Sequence, residues 1–359
     1  MNISNKRILI LKQSSLGDVI HTLPVAHAIK RCNPECTIGW VVQKPFKGLL
    51  ECDPAVDNVF PIEIPSTSDP HAGKFAFFKA VMATIKYLRR LRKQFLYNPY
   101  DVVLDLHASI RSAMIGLTSP GGYRVGFKDA REFNPLFQHH KIIVPETAVH
   151  AVDKNLLFCE YLKCPAVQKD FTLYTDPNDE ENVANFLKRS GWHADKAIIY
   201  INPCARWVSK YWSVQNWSIL CDKLIHETGC LIVMAGSRQD KTYISSIAEL
   251  MTEKPVIAAG SLSLPEIAAL LHKSSVYVGL DSGPMHMAAL AGVPVVALFG
   301  PTHPERVKPY GVKHKVIQNP EVDCLGCRKR NCSDMSCLNG ISADVVYQEV
   351  IEFLPDDMK

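Results

Sequence analysis

The chain has 359 residues, 47% hydrophobic and 21% charged, a globular mix without low-complexity tracts. That length suits two domains, each able to bury a core without disulfide or metal staples. The formal net charge of +4 is too mild to argue for nucleic-acid binding. No apolar run approaches the ~18–20 residues that span a bilayer. Only Ile8–Leu11 separate Lys6 and Arg7 from Lys12, which is too short for a secretory signal, so the expected location is the cytoplasm, peripheral to the inner membrane surface.

In chain order, Arg7–Lys12 reads as a buried strand, and a helix is expected from Val19 to Lys30 with Pro24 in its first turns. Thr37–Val42 and Asn58–Ile62 read as strands, Phe75–Leu96 as a long helix and Asp101–Leu106 as a strand. Between Asp69 and Asp101 there is no acid, only Lys74, Lys79, Lys86, Arg89, Arg90, Arg92 and Lys93, a field that suits an anionic partner or a solvated basic helix face. After a polar stretch around Tyr174–Asn182 the rhythm restarts. Strands are expected at Ala197–Ile201, Cys230–Ala235, Val256–Ala258, Val276–Leu280 and Val295–Phe299. Helices are expected at Val214–Thr228, Asp240–Thr252, Ser263–His272, Pro284–Ala291 and Ala343–Phe353. Strands alternating with helices imply parallel sheets in two doubly wound α/β domains facing across a cleft. The boundaries read as 1–175, 176–345, and a last segment, 346–359, returning to the first domain.

Four strings carry candidate chemistry. In Lys12-Gln-Ser-Ser-Leu-Gly-Asp18 the backbone amides of Ser14, Ser15 and Gly17 can meet an anion at a helix start, and Asp18 is either a helix cap or a carboxylate at a strand's carboxyl end. In Asp281-Ser-Gly-Pro-Met-His286 a strand runs into a helix. Gly283 lets a ligand approach the backbone, Pro284 suits the first helical position, and the amides of Gly283, Met285 and His286 form an anion site with the helix dipole. Lys210, in Asn202-Pro-Cys-Ala-Arg-Trp-Val-Ser-Lys-Tyr-Trp212, either neutralises a diphosphate or is solvated on its loop. The twelve cysteines include the string Cys324, Cys327, Cys332 and Cys337, whose spacing leaves zinc, a bridge or a reduced loop open; the others read as small hydrophobes.

Together these strings resemble family 9 of the glycosyltransferases, the ADP-heptose:lipopolysaccharide heptosyltransferases. Ile8 to Pro24 looks like the family's opening signature, and Pro203–Trp212, Gly236 with Asp240, Gly260–Leu264, Asp281–Ala289 and Phe299–Thr302 look like its second domain. Arg124–Phe127 and Ala130–Glu132 look most like heptosyltransferase I. The resemblance implies a GT-B fold and inverting, metal-independent transfer without a cofactor. Asp18 is then the general base that takes the acceptor hydroxyl's proton, and Lys210 stabilises the departing ADP. Ser282, Gly283, Pro284 and His286 form the diphosphate turn, and Asp281 orients that turn or touches the sugar. Asp240 stands at the ribose and Leu262 against the adenine, and Ser14, Ser15 and Gly17 count among the donor-binding residues. The implied partners are ADP-heptose and a phosphorylated Kdo-lipid A acceptor at the inner membrane surface, with Lys74, Lys86, Arg90, Lys93 and Arg111 as acceptor-binding cations. Cys204 and Arg206 depart from the family's phosphate-loop string. The rival expectations are another nucleotide-sugar enzyme, an epimerase included, and a non-catalytic nucleotide-sugar-binding protein.

Overall fold

The computed structural model describes residues 1, 3–65, 75–193 and 196–354. The chain divides into two compact units, Met1–Phe171 and Thr172–Lys359. The first contains strands β1 (Arg7–Leu11), β2 (Thr37–Gln43), β3 (Asn58–Ile62), β4 (Val102–Asp105), β5 (Tyr123–Phe127) and β6 (His140–Ile142) in one sheet of order β3-β2-β1-β4-β5-β6. Every neighbouring pair is parallel, and Leu11 lies opposite Val41 on one side and Asp105 on the other. Parallel strands covered on both faces read as unbroken apolar runs, and Ile8 to Leu11 are all fully buried.

The helix expected over 19–30 is instead two helices, Leu16–Ile20 and Leu23–Cys32. Pro24 is the reason. It has no N–H and its ring would crowd the carbonyl of residue 20, so the chain breaks at His21-Thr22 and restarts with Pro24 in a new first turn. Asn155 Nδ2 takes up the His21 carbonyl freed by the break, at 3.0 Å.

The second unit repeats the plan with β7 (Ile198–Asn202), β8 (Leu231–Met234), β9 (Val256–Ile257), β10 (Val276–Leu280), β11 (Val295–Leu298) and β12 (His314–Ile317). Their order, β12-β11-β10-β7-β8-β9, is the same arrangement counted from each unit's first strand. Both sheets are of the doubly wound 3-2-1-4-5-6 type, in which ligands bind beyond the carboxyl ends of strands where the order reverses. Those points lie between β1 and β4 and between β7 and β10. The sequence does not announce β5, β6 and β12, all short and carrying Arg, His or Lys.

Ala343, Val346, Val350 and Leu354 are buried in the same core as Trp212 and Trp217, so the last helix, Ala343–Ile351, is anchored in the core of the second unit. Trp212 donates from Nε1 to the Ile341 carbonyl at 2.9 Å and meets Trp217 edge-on at 4.8 Å, which ties the segment before that helix to the core. Among the described residues no helix is long and apolar enough to cross a membrane.

Candidate active site

At the switch point of the first unit, the turn after β1 closes on Asp18. Ser15 is the N-cap of helix Leu16–Ile20 and Asp18 stands at its third position, so Asp18 is not itself the cap. Its Oδ2 accepts from the Ser15 amide (2.8 Å) and hydroxyl (2.7 Å), and Lys12 Nζ lies 3.5 Å from Oδ1. The Ser15 amide, expected to be open to an anion, is thereby committed to Asp18. Lys12 is held in the interior by the Leu106 carbonyl, at 2.8 Å, at the carboxyl end of β4.

Enclosure by protein works to raise the Asp18 pKa, but Lys12, the two Ser15 hydrogen bonds and His107 outweigh it, leaving the carboxyl below its ordinary 3.8. The side chain is still 45% exposed, so an ionised carboxylate faces solvent. His107 follows β4. Burial first, then Lys12 and Arg111, hold its pKa down to about 4, so the imidazole is neutral at neutral pH. The turn carrying it is pinned by buried Asp105, which accepts from the amides of His107 and Ala108, the Ser112 hydroxyl and Asn134 Nδ2. Lys12, Asp18, His107 and Arg111 thus share one electrostatic cluster. Lys12 carries no expected role in its string and His107 lies outside all four strings, although a histidine just past a strand's carboxyl end is a usable signal.

At the corresponding point of the second unit, Lys210 Nζ donates to Asp281 Oδ2 at 2.6 Å and to its carbonyl at 3.0 Å. The pair is largely buried, with side chains 15% and 8% exposed, and Lys210 lies 4.9 Å from the centre of the Trp207 ring. Asn202, at the end of β7, donates from Nδ2 to the Cys204 carbonyl (2.8 Å) and the Ser282 hydroxyl (2.9 Å). Ser282 is the N-cap residue of helix Gly283–Leu290 yet makes no side-chain cap, and Pro284 sits second in that helix, after Gly283. By contrast, the helices Val214–Thr228, Leu264–His272 and Ala343–Ile351 are each capped by a serine hydroxyl, from Ser213, Ser263 and Ser342. A helix start without its side-chain cap keeps positive amide character for a ligand. His286 is buried in that helix.

Beyond β8, Asp240 accepts through Oδ2 from the Ser237 amide (2.7 Å) and hydroxyl (2.6 Å). The Gly260–Leu262 loop packs on the same turn. Gly260 N donates to the Gly236 carbonyl, and its φ of +71° suits glycine; a Cβ there would lie 2.9 Å from Arg238 Cα. Asp240 and half-buried Leu262 therefore stand on adjoining loops.

The cysteine string is seated on these loops. The Ser209 hydroxyl donates to the Lys329 carbonyl at 2.7 Å, and Arg328 N and Gly326 N donate to the carbonyls of Pro301 and Gly300. Arg330 lies over the Trp207 ring at 5.5 Å, adding a second cation beside Lys210. The sequence reading missed Arg330, whose signal was the basic Arg328-Lys-Arg330 inside the string. All four thiols are free, and burial, then the other three thiols, push Cys337 up to about 11. Among the described residues no group of three or more His, Cys, Asp or Glu is arranged to hold a metal ion.

Of the expected acceptor cations, Arg111 joins the Asp18 cluster, its pKa lowered by burial and partly restored by Glu132. Lys86, Arg90 and Lys93 are exposed along helix Ala76–Tyr97, and Lys74 lies outside the described residues.

A family model described as Glycosyltransferase family 9 (heptosyltransferase) matches residues 88–337. The lipopolysaccharide core heptosyltransferase OpsX of Haemophilus influenzae is 26% identical over 316 residues, 87% of this chain and 84% of that one. Lipopolysaccharide heptosyltransferase 1 of Pseudomonas aeruginosa is 28% identical over 336 residues, 91% and 87% of the two chains. Among solved structures, the E. coli heptosyltransferase WaaC with ADP matches with a TM-score of 0.72 at 25% identity, covering 97% of this chain and 100% of that one. A family 9 glycosyl transferase from Veillonella parvula shares the fold with a TM-score of 0.82 at 20% identity, covering 98% of each chain. With two Rossmann-like units of the GT-B type and a family match over well more than half its length, the chain belongs to glycosyltransferase family 9, the heptosyltransferases.

Proposed function

We propose that the protein transfers a heptose from ADP-heptose to the Kdo or heptose inner core of lipopolysaccharide, with inversion and without a metal. The observation that carries the residue roles is the pair of settings at the two switch points, an ionised, half-open carboxylate at Asp18 and a lysine beside an uncapped helix start at Lys210. The relatives named as lipopolysaccharide heptosyltransferases, together with the similar E. coli heptosyltransferase WaaC solved with ADP, support the donor and the acceptor class.

In this reading Asp18 accepts the proton of the acceptor hydroxyl as its oxygen attacks the anomeric carbon from the face opposite the diphosphate. The bond from that carbon to the diphosphate oxygen breaks, and its electron pair leaves with ADP. Lys210 and the amides at the start of helix Gly283–Leu290 stabilise that charge, with Ser282, Gly283, Pro284 and His286 shaping the turn and Asp281 holding Lys210 in place. Asp240 takes the ribose and Leu262 lies against the adenine. Ser14 and Gly17 line the turn that presents Asp18. Arg111, with Lys74, Lys86, Arg90 and Lys93, meets acceptor phosphates, and the lipid-borne acceptor places the enzyme at the inner membrane surface.

The test is a donor screen with turnover, in which ADP-heptose and UDP- and GDP-sugars are each mixed with Kdo-lipid A and nucleotide release is followed. ADP release with ADP-heptose alone is expected. Turnover with another nucleotide sugar, or epimerisation without transfer, would overturn the assignment.

A further inference from the structure

The helix Ala76–Tyr97 meets two opposite demands. One side is core, with Ala80, Leu91 and Phe95 buried beside Ile62 and Tyr100. The outer side leaves Phe78, Val81, Met82 and Ile85 in the open, and Phe75 precedes them; Phe75 and Phe78 are 73% and 63% exposed. At 3.6 residues per turn, Phe78, Met82, Ile85 and Arg89 fall along one stripe. Single exposed apolar residues are ordinary, but a contiguous stripe on a helix already anchored by its other side marks an interaction surface. Helix Ile110–Gly116, which packs against this one, exposes Met114, and Leu117 follows it in the open.

The charge of that outer side selects the partner. Lys79, Lys86, Arg89, Arg90, Arg92 and Lys93 are all exposed, and the helix contains no Asp or Glu. Apart from Leu96 and Tyr97 at its end, the exposed apolar residues occupy its first half and most of the cations its second. An occupant must therefore offer an apolar layer and dense negative charge side by side, which the boundary between headgroups and acyl chains of an anionic bilayer supplies.

We propose that the outer face of helix Ala76–Tyr97 docks the protein on an anionic lipid bilayer, with the Phe78–Met82–Ile85 stripe entering the interface and Lys79, Arg89 and Arg92 engaging headgroup phosphates. This deepens the proposed function and rests on its lipid-borne acceptor, because docking keeps the enzyme on the surface where that acceptor resides.

The experiment is co-sedimentation of the full chain with phosphatidylcholine vesicles, with and without phosphatidylglycerol, at low and high salt. The protein should pellet with the anionic vesicles and release as salt rises. Arg89→Gln with Arg92→Gln should weaken binding by roughly thirtyfold at low salt. Phe78→Ser with Met82→Ser and Ile85→Ser should weaken it by at least about tenfold at either salt. Because these side chains are exposed, the variants should keep the parent's thermal midpoint, and the apolar variant should keep the parent's turnover on a water-soluble Kdo acceptor without acyl chains. Binding that is absent, equal on neutral vesicles, or unchanged in both variants would overturn the proposal. Turnover on the soluble acceptor is read separately, so a failure of docking is distinguishable from a failure of the heptosyltransferase reading.

Discussion

The turns after β1 and after β10 stand at the same topological point of two sheets with the same strand order, yet they treat a serine hydroxyl in opposite ways. After β1, Ser15 gives both its amide and its hydroxyl to Asp18, and the turn is closed around a carboxylate. After β10, the Ser282 hydroxyl instead takes a hydrogen bond from Asn202; the helix that follows, like the one after β1, has no side-chain cap. One junction holds a fixed negative charge, and the other keeps amide and lysine character for an incoming anion. A doubly wound sheet supplies the place, and the hydrogen-bond partner of one serine decides which kind of site it becomes.

The largest effect expected from that contrast comes at the closed turn. Asp18→Asn keeps the side chain's shape but removes its basicity, so kcat should fall by roughly a thousandfold, within the range for loss of a general base. Affinity for ADP, measured by calorimetry, should stay at the parent's value, because Lys210 and the start of helix Gly283–Leu290, which meet the diphosphate, belong to the second unit. A parallel loss of ADP affinity and turnover would break the division of labour.

Lys210→Met should come next, with kcat down by about a hundredfold and donor KM raised. It also leaves Asp281 largely buried beside no cation, a loss on the order of 3 kcal/mol in denaturant unfolding. Adding Asp281→Asn should recover most of that stability without recovering turnover. Recovery of both would mean that the lysine only holds the fold.

A smaller, directional effect concerns pH. The Asp18 pKa is lowered in the folded chain, so its base form persists as pH falls below the ordinary 3.8, and the associated stability is present above 3.8 and lost only as pH drops through the lowered value. Lys12→Met removes the strongest of the lowering influences, so the acid limb of kcat/KM should move to higher pH. His107, held to about 4, is neutral near neutrality and gains its proton only in that same acid range, so it contributes no limb near pH 7. An acid limb that does not move in Lys12→Met would separate Asp18 from the titration that governs turnover.

Much of this was legible in the sequence because it is written locally. The helices Val214–Thr228 and Leu264–His272 carry their serine caps and apolar periods in plain order, and the strand-to-helix turns at Asp18 and Asp281 were located by their glycines and acids. What failed to show was set by tertiary contact. The edge strands β6 and β12 follow from pairing with β5 and β11 rather than from an apolar run. The place of helix Ala343–Ile351 depends on a core it shares with Trp217. Arg330 reaches Trp207 because the cysteine string is seated on the Ser209 turn, a pairing across 120 residues. Asn202 drew no role from the sequence, although it sets the state of Ser282.

That last point gives the finest test of the contrast. In helix Gly283–Leu290 the second residue is Pro284, which has no N–H, so a capping hydroxyl from Ser282 would have to accept from the Met285 amide. That bond is not made, and the Ser282 hydroxyl is instead held by Asn202, which donates to it at 2.9 Å. Asn202→Ala frees the hydroxyl to cap, a gain of about 1 kcal/mol for the helix and a loss of one amide for the donor phosphates. Donor KM should therefore rise by about fivefold while kcat changes little. Ser282→Ala cannot cap, so placing it on top of Asn202→Ala should bring KM back to that of Ser282→Ala alone. If Asn202→Ala leaves KM where it was, or if the double variant is worse than either single one, the Asn202–Ser282 hydrogen bond is not what suits the turn after β10 to a donor phosphate.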